Sequence, residues 1–492
     1  MNKSLRGTTL ALLAISPFAY LACSDDSSGT AGTVTTPTVD ASTTPVADAA
    51  TTEVASTGPV DAGADADAAV GTTATVLALT TKKLPEQGVK VVFYDAAGTV
   101  LGTETTDATG MATHAMTAGG SVTAVFGTSF DHELVTILGV QPGDSLTALD
   151  PLGVNQTTFS VTPPAAAVPL PAGTTSLHLQ FGGCSSGSFA TTGGTSNVVL
   201  TDCEHGSDAP VLVLVATNAN GAVVGTTASS AVPLVSNGAT NVTFAGPWST
   251  PSATDVTNVS NVSMTGTIAS FYKDIRTTYS SGNGTGMLST SASGSAINGT
   301  YTQSFSREFP GATFVQNEFD YFEKQNLPFA LVTRTIATRG APGTTTIDFS
   351  TALPAITATA VTGLPTPTVT WTSASALTAT KGIVAQVYWS DSPSESNGKW
   401  LIFAPPTVTS ITPPALPMDL AQSGPLTTSA YQTPTLVAAV DATFLASYAT
   451  VRASAALLTP SSSLQSGSFT SVVRTLPVDG TLKLTAFGQS ND

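Results

Sequence analysis

The feature that most constrains this chain is a strand–turn–strand pattern that recurs at short intervals. Val89, Val91 and Phe93 alternate with side chains of the opposite face, and the turn Asp95-Ala-Ala-Gly98 follows them. Asp107-Ala-Thr-Gly110 forms a second turn of the same kind. Asp can hydrogen-bond its own backbone where such a turn begins, and Gly accepts the positive φ where it ends. Short strands separated by such turns predict an all-β fold.

Three folded regions are predicted from this pattern. The stretch GVKVVFYDAAGTVLGTETTDATGMATHAMTAGGSVTAVFG resembles bacterial Ig-like and carboxypeptidase-regulatory-like domains in its strand–DxxG–strand–TDxxG order. The resemblance implies an immunoglobulin-like sandwich over residues 74–150, and it implies a fold rather than an active site. A second sandwich is predicted over 151–250, where Val211 to Thr226 repeats the hairpin shape of Val91 to Thr103.

Residues 255–492 are predicted to form a larger β-rich domain, either a sandwich or a jelly-roll-like fold. The strands are indicated by alternating runs such as Val315 to Tyr321. Leu436 to Leu458 is ambiguous, because its apolar residues fit either one helix face or two strands.

Low charge sets this chain apart from most soluble proteins. Only 10% of its residues are charged, and the formal net charge is −16 with no cluster of Lys or Arg in the folded regions. Nucleic acid is therefore a poor partner, because phosphate binding needs such clusters. Residues 24–73 are acidic and rich in Ser, Thr, Ala and Pro, and they contain almost no large apolar residues. We expect this segment to be a disordered tether.

The first 23 residues are predicted to be an export signal. Lys3 and Arg6 precede the apolar run 8–21, which is shorter than the roughly 20 residues that span a bilayer. Cys23 at the small-residue junction makes the segment resemble a bacterial lipoprotein signal, in which that cysteine is acylated. Together with the tether, it makes the chain resemble the Ser/Thr-rich lipoproteins of myxobacteria. An ordinary cleaved signal is the alternative.

The lipoprotein resemblance implies a membrane partner reached through a lipid anchor at Cys23. Ser24, rather than Asp, follows the cysteine, which in such proteins resembles an outer-membrane address. We therefore expect the protein at the bacterial outer membrane or cell surface.

Two further cysteines remain after Cys23. Cys184 and Cys203 are predicted to form a disulfide, because an exported chain meets an oxidising compartment. Zinc ligation by the pair is the alternative, but only His205 stands nearby as a third ligand. No metal and no cofactor are expected.

Catalytic motifs are scarce in the sequence. HExxH, CxxC and Walker-type motifs are missing, and the four histidines are far apart. Gly183-Cys184-Ser185-Ser186-Gly187 matches GxSxG, but a nucleophile elbow needs a strand-to-helix turn that this β-rich stretch does not predict. A non-catalytic scaffolding or binding protein is therefore favoured, and a surface hydrolase with an unrecognised site in the last region is the alternative.

Three tryptophans are the predicted binding residues. Trp371, Trp389 and Trp400 fall within thirty residues of one another in the last region. Exposed indole rings would stack on a surface polysaccharide or on a partner protein. The alternative is that all three fill the core of a β-sandwich.

Overall fold

The computed structural model describes residues 72–489 with gaps, of which 202–211, 251–259 and 459–475 are the longest. Cys23, Cys203 and all but the last two residues of the predicted tether 24–73 lie outside the described residues, and β1 begins at Thr73. The described part is almost entirely β-structure, with thirty strands and one α-helix of six residues. The all-β prediction is therefore confirmed.

Unit 1 is a sandwich of seven strands. Its three-stranded sheet has the order β4-β1-β7, and its second layer has the order β3-β2-β5-β6. β1 pairs antiparallel with β4 and parallel with β7. The strands are β1 Thr73–Leu79, β2 Lys90–Tyr94, β3 Val100–Thr105, β4 Met111–Ala115, β5 Gly120–Gly127, β6 Asp131–Val140 and β7 Ser145–Leu149.

The two Asp-to-Gly turns form as the sequence predicts. Asp95 Oδ1 accepts hydrogen bonds from the backbone N–H groups of Ala97 at 2.9 Å and Thr99 at 2.8 Å. Gly98 closes this turn with a φ of 83°, a conformation that residues with a Cβ rarely adopt. The turn fixes the register of the β2–β3 hairpin and the direction of the chain behind it.

Unit 2 has the same strand order as unit 1. Its two sheets run β11-β8-β14 and β10-β9-β12-β13, with β8 again antiparallel to one neighbour and parallel to the other. Its core is its own and is centred on buried Phe159, Leu179, Leu214 and Phe244. The strands are β8 Gln156–Thr162, β9 Ser176–Phe181, β10 Cys184–Ser185, β11 Ser196–Thr201, β12 Val213–Thr217, β13 Val223–Ala228 and β14 Ala239–Thr243.

Unit 3 repeats this order a third time. Its layers are β20-β15-β23 and β18-β17-β21-β22, and β16 and β19 add a short separate ladder. The strands are β15 Ser260–Thr265, β16 Thr267–Ile268, β17 Tyr272–Ser281, β18 Gly284–Ser293, β19 Ile297–Asn298, β20 Tyr301–Phe305, β21 Ala312–Lys324, β22 Ala330–Gly340 and β23 Thr345–Asp348.

Unit 4 has a different order, with layers β24-β25-β28 and β30-β29-β26-β27. Short 3-10 helices span Phe349–Thr351, Ala421–Ser423 and Ala455–Leu458. The described strands of region 255–492 thus form two sets of layers, which are joined through the ladder between β22 and β30. The remaining elements are β24 Ile356–Thr362, β25 Thr368–Ser373, β26 Gly382–Asp391, β27 Ser396–Ala404, β28 Ser410–Ile411, β29 Ala430–Ala442, α1 Tyr448–Ala453 and β30 Gly480–Gln489.

The ambiguous segment 436–458 is neither one helix nor two strands. β29 continues to Ala442, and α1 begins at Tyr448 after a turn. The strand part has buried residues on both faces, which explains why its apolar pattern did not follow a period of two.

Units 1, 3 and 4 share one twelve-stranded sheet, to which each contributes four strands. β22 of unit 3 pairs antiparallel with β30, and β27 pairs in parallel with β6 of unit 1. In the second ladder, Lys399 lies opposite Glu133, and both residues are buried. Unit 4 therefore stands in the middle of a continuous sheet, while unit 2 keeps a sheet of its own.

Helix α1 fastens unit 4 to unit 1 a second time. Arg452 donates from Nε to Asp144 Oδ2 at 2.8 Å and from Nη2 to Oδ1 at 3.2 Å, a two-pronged ion pair. Tyr448 donates its hydroxyl to the carbonyl of Leu138 at 2.9 Å. One hydrophobic core extends across this contact, from β1, β2 and β5 to β26, β27, β29 and α1. Units 1 and 4 are consequently one packed body.

Candidate functional site

The predicted aromatic platform does not form. Trp371, Trp389 and Trp400 are 8%, 1% and 1% exposed and belong to the core between the two layers of unit 4. This is the placement of the alternative interpretation, in which all three tryptophans fill the core of a β-sandwich. Strands β26 and β27 are buried on both faces, so Trp389 and Trp400 have no outward-facing side for a platform, whereas Trp371 lies on the inward face of β25, whose neighbouring threonines are exposed.

Two of these tryptophans hold specific positions in the ladder. Trp400 Nε1 donates to Thr136 Oγ1 at 2.8 Å, which ties β27 to β6 of unit 1. Trp389 lies opposite Gly398, and a Cβ at that glycine would come within 1.9 Å of the indole ring. The missing side chain at Gly398 therefore makes the space in which Trp389 packs.

The other predicted sites fall partly outside the described residues. Cys23 is not described, and the Cys184–Cys203 disulfide stays a prediction because Cys203 is not described either. The backbone of Cys184 and Ser185 pairs with Phe181 and Gln180 in an antiparallel hairpin. Cys184 and Ser185 of the GxSxG match are therefore strand residues, and the rest of the match lies outside the described residues.

A groove between units 3 and 4 forms a concave site in the described part. It encloses about 530 Å³, within the range of small-ligand sites. Unit 3 contributes residues of β22, β23 and the following 3-10 helix. Unit 4 contributes the ends of β29 and β30 and the residue before β26. Its lining residues that carry charge are Asp348, Lys381, Asp441 and Lys483.

Three of these charges form one row across neighbouring strands. Asp441 of β29 pairs with Lys483 of β30. Gly382 pairs with Val440, and the Lys381 N–H donates to the Val440 carbonyl at 2.7 Å, so Lys381 lies on the other side of Asp441. All three residues are half-buried. None of their side chains makes a hydrogen bond or ion pair with another described residue.

The fourth charge, Asp348, serves a local structural role. Its Oδ1 accepts from the N–H of Ser350 at 3.0 Å and from the Ser350 hydroxyl at 2.7 Å, which caps the 3-10 helix Phe349–Thr351. The carboxylate stays exposed at the rim of the groove. The row therefore carries one carboxylate, that of Asp441, between two ammonium groups. Asp348 adds a second, exposed carboxylate to the lining.

Hydroxyl groups line the groove beside the charged row. Thr338 and Thr481 are paired across β22 and β30, and the Thr481 N–H donates to Thr443 Oγ1 at 2.9 Å. Thr338 Oγ1 is buried and has no hydrogen-bond partner among the described residues. Thr346 and Thr351 face this row from unit 3. The groove thus offers hydrogen-bonding groups from both units.

The sequence motifs described above do not include the residues of this groove. A usable signal existed, because in a chain with 10% charged residues Asp441 follows the apolar run Leu436–Val440 and Lys483 lies between Leu482 and Leu484. What the sequence could not supply was the pairing that sets Lys483 beside Asp441. Within the residues described, no group of His, Cys, Asp or Glu could hold a metal ion, and no helix is long and apolar enough to cross a membrane.

No protein-family model matches the chain, and no curated protein matches it. Among solved structures it is similar to the Bacillus anthracis TIE protein, with a TM-score of 0.15 and 10% identity over 56% of this chain and 49% of that one. The chain thus covers about half the length of that protein. BcpA, the major pilin subunit of Bacillus cereus, matches with a TM-score of 0.14 and 10% identity over 56% of this chain and 98% of that one.

A streptococcal ancillary pilin matches with a TM-score of 0.13 and 12% identity, over 36% of this chain and 63% of that one. TM-scores of this size carry no argument about function. The function is therefore inferred from the residues of this chain.

Proposed function

We propose that this protein is a non-catalytic surface lipoprotein that acts as a scaffold or as an adhesin-like binding protein, held at the outer membrane by acylated Cys23. Its partners are the membrane, through the lipid, and a surface polysaccharide or protein. The signal-like start and the acidic tether support the anchored arrangement, since they would place the folded units at a distance from the bilayer.

The single observation that carries the scaffold role is the shared twelve-stranded sheet. Domains in one chain usually meet through modest polar interfaces and move relative to one another. Here the ladder between β6 and β27, the α1 ion pair and the common core join units 1 and 4. A body joined in this way can transmit load or present a surface at a fixed distance without bending.

The anchor is tested by replacing the acylated residue. Cys23→Ser should move the protein from the membrane fraction to the soluble fraction, because several acyl chains hold a protein on a bilayer far better than one or none. Cys184→Ser is the matched control, and it should leave the protein with the membrane. Retention of the Cys23→Ser variant in the membrane fraction would contradict the lipoprotein assignment.

The alternative function, a surface hydrolase, is favoured by one observation: the groove brings Asp348 and Asp441 into one concave site. Paired carboxylates carry out glycoside hydrolysis in many enzymes. The purified full-length protein should release no reducing ends from bacterial surface polysaccharides if the scaffold proposal is right. Release that disappears in Asp441→Asn would establish the hydrolase instead.

A further inference from the structure

We infer that the groove between units 3 and 4 binds a carboxylated oligosaccharide, a chain of uronate sugars, through Lys381 and Lys483. The inference deepens the proposed binding role and rests on it. It names the site and the ligand class, which the proposed function leaves open.

The charge of the groove floor favours an anionic ligand. One carboxylate, Asp441, lies between two lysines, so the row carries a net positive charge. The fourth charged residue, Asp348, brings the lining as a whole to neutrality, but its carboxylate is exposed and already accepts the hydrogen bonds of Ser350. A ligand carboxylate would form an ion pair with the two ammonium groups, which form none with a described residue. Hydrogen bonds between ionised partners are the strong ones, and they would fix the orientation of the sugar.

The hydroxyl groups of the groove suit a ligand with many hydroxyls of its own. Thr338 lines the groove, and its hydroxyl is buried and has no hydrogen-bond partner among the described residues. Thr346 and Thr351 approach the same space from unit 3. A sugar ring presents donors and acceptors around its edge, which matches threonine hydroxyls that can act as either.

The groove exists only where units 3 and 4 are packed together, so a ligand would bind the assembled protein. Its walls come from different units, and sites of this kind are common where domains meet. The ladder between β22 and β30 sets the two walls at a fixed distance. The groove is therefore preformed, and a ligand would not bear the cost of closing it.

The test is calorimetric titration of the purified full-length protein with three probes: oligogalacturonate, the same oligomer with methyl-esterified carboxyls, and a neutral glucose oligomer of equal length. We expect binding of oligogalacturonate, and at least about tenfold weaker binding of the ester and the neutral oligomer. Rising NaCl should weaken the first interaction, since it depends on charge. Equal binding of all three probes, or no binding of oligogalacturonate, would overturn the inference.

Variants then locate the site. Lys381→Gln and Lys483→Gln should each weaken oligogalacturonate binding about tenfold. Lys90→Gln is the matched control, because Lys90 is exposed on unit 1 and donates only to Thr105. Loss of affinity in Lys90→Gln to the same extent would place the binding elsewhere. Should a groove variant unfold, the comparison between free and esterified oligomer on the unaltered protein still decides the ligand class.

Failure of this inference is distinguishable from failure of the proposed function. Membrane retention and the shared sheet are tested by fractionation and hydrogen exchange, with no sugar present. A protein that passes those tests and ignores oligogalacturonate remains a surface scaffold with a different ligand. If the protein binds the uronate, but the Cys23→Ser variant stays in the membrane fraction, the groove inference is supported and the lipid anchor at Cys23 is wrong.

Discussion

Units 1 and 2 have the same seven-strand topology, yet they relate to the rest of the molecule in opposite ways. In unit 1 the layer β3-β2-β5-β6 is continued by β27 and shares its core with unit 4. In unit 2 the corresponding layer β10-β9-β12-β13 ends within the unit, and the core is self-contained. Because the topology is the same, the difference must come from the outer side of one strand: β6 accepts a partner, and its counterpart β13 has none in the ladder.

The residues of β6 show how this difference arises. Leu134 and Val135 point to opposite faces, and both are fully buried, as expected for a strand inside a covered sheet. Thr136 accepts the hydrogen bond from the Trp400 indole at 2.8 Å. In β13 the sequence VVGTTA has small and hydroxylated residues after its two valines, and it lacks the Leu and Ile of β6. A strand with these residues can close a sandwich, but it offers less apolar surface to a further unit.

The largest expected effect comes from cutting the joint between units 1 and 4. Trp400→Ala should lower the free energy of unfolding by about 3–5 kcal/mol, because it leaves a cavity in the core and removes the bond to Thr136. Hydrogen-exchange mass spectrometry should show faster exchange in strands of units 1 and 4 together, with unit 2 unchanged.

Trp400→Phe is the matched control, since it keeps one aromatic ring in the core while it loses the indole N–H and part of the side-chain volume. It should destabilise the same strands by a smaller amount. Faster exchange in unit 4 alone, with unit 1 still protected in Trp400→Ala, would show that the two units are not one cooperative body.

A core substitution in unit 2 should produce the opposite distribution. Leu214 is fully buried in the separate core, and Leu214→Ala should cost about 2–4 kcal/mol. Exchange should accelerate in unit 2, while β6, β27 and the rest of the large sheet keep their protection. Leu214→Met is the volume-conserving control. If Leu214→Ala also accelerated exchange in unit 1, the independence of unit 2 would be wrong.

The smallest effect concerns Glu86, in the loop before β2. Burial and the nearby Asp150 raise the pKa of its carboxyl to about 7. The folded chain therefore keeps this proton at a pH where the unfolded chain, with a pKa near 4.5, has released it. The contribution stabilises the fold at pH 4.5 and is lost as the pH rises to 7, so thermal stability should fall across that range.

Glu86→Gln should flatten this part of the profile, and the measurement is the unfolding temperature between pH 4.5 and 7.5. Asp107→Asn is the control. The hydrogen bonds from Thr109 and Met111 lower the pKa of Asp107, so that group titrates below the range studied. An unchanged slope in Glu86→Gln would mean that Glu86 is not the group responsible.

The hydrogen bonding within single turns was predictable from the sequence, but the place of each turn in its sandwich was not. The turns at Asp95 and Asn218 use the same device, a side-chain oxygen that accepts from the N–H two residues later, at 2.9 Å in each case. This similarity led to the expectation of one repeated hairpin. In the structure the first turn joins β2 to β3, and the second joins β12 to β13, which correspond to β5 and β6 of unit 1. The two hairpins occupy different places in their sandwiches.

The real repeat is one of topology, and the sequence hides it because strand order leaves no local pattern. The ladder between β6 and β27 likewise joins segments more than 250 residues apart, as the bond between Thr136 and Trp400 shows with its separation of 264 residues. A hint was available in Trp400 to Ala404, an unbroken apolar run typical of a strand covered on both faces. It indicates burial, but it cannot name the partner strand or the residues that line the groove.

The parallel ladder between β6 and β27 also determines the order in which parts of the chain can fold. During synthesis β6 is complete long before β27 exists, so its outer edge carries unpaired backbone groups while most of the chain is still being made. Edges of this kind invite association with other chains, and contacts between distant residues form slowly. Unit 2, whose described strands pair only with one another, can fold in the meantime. Unit 2 lies between β6 and β27 in the sequence. It can therefore fold before units 1 and 4 are joined.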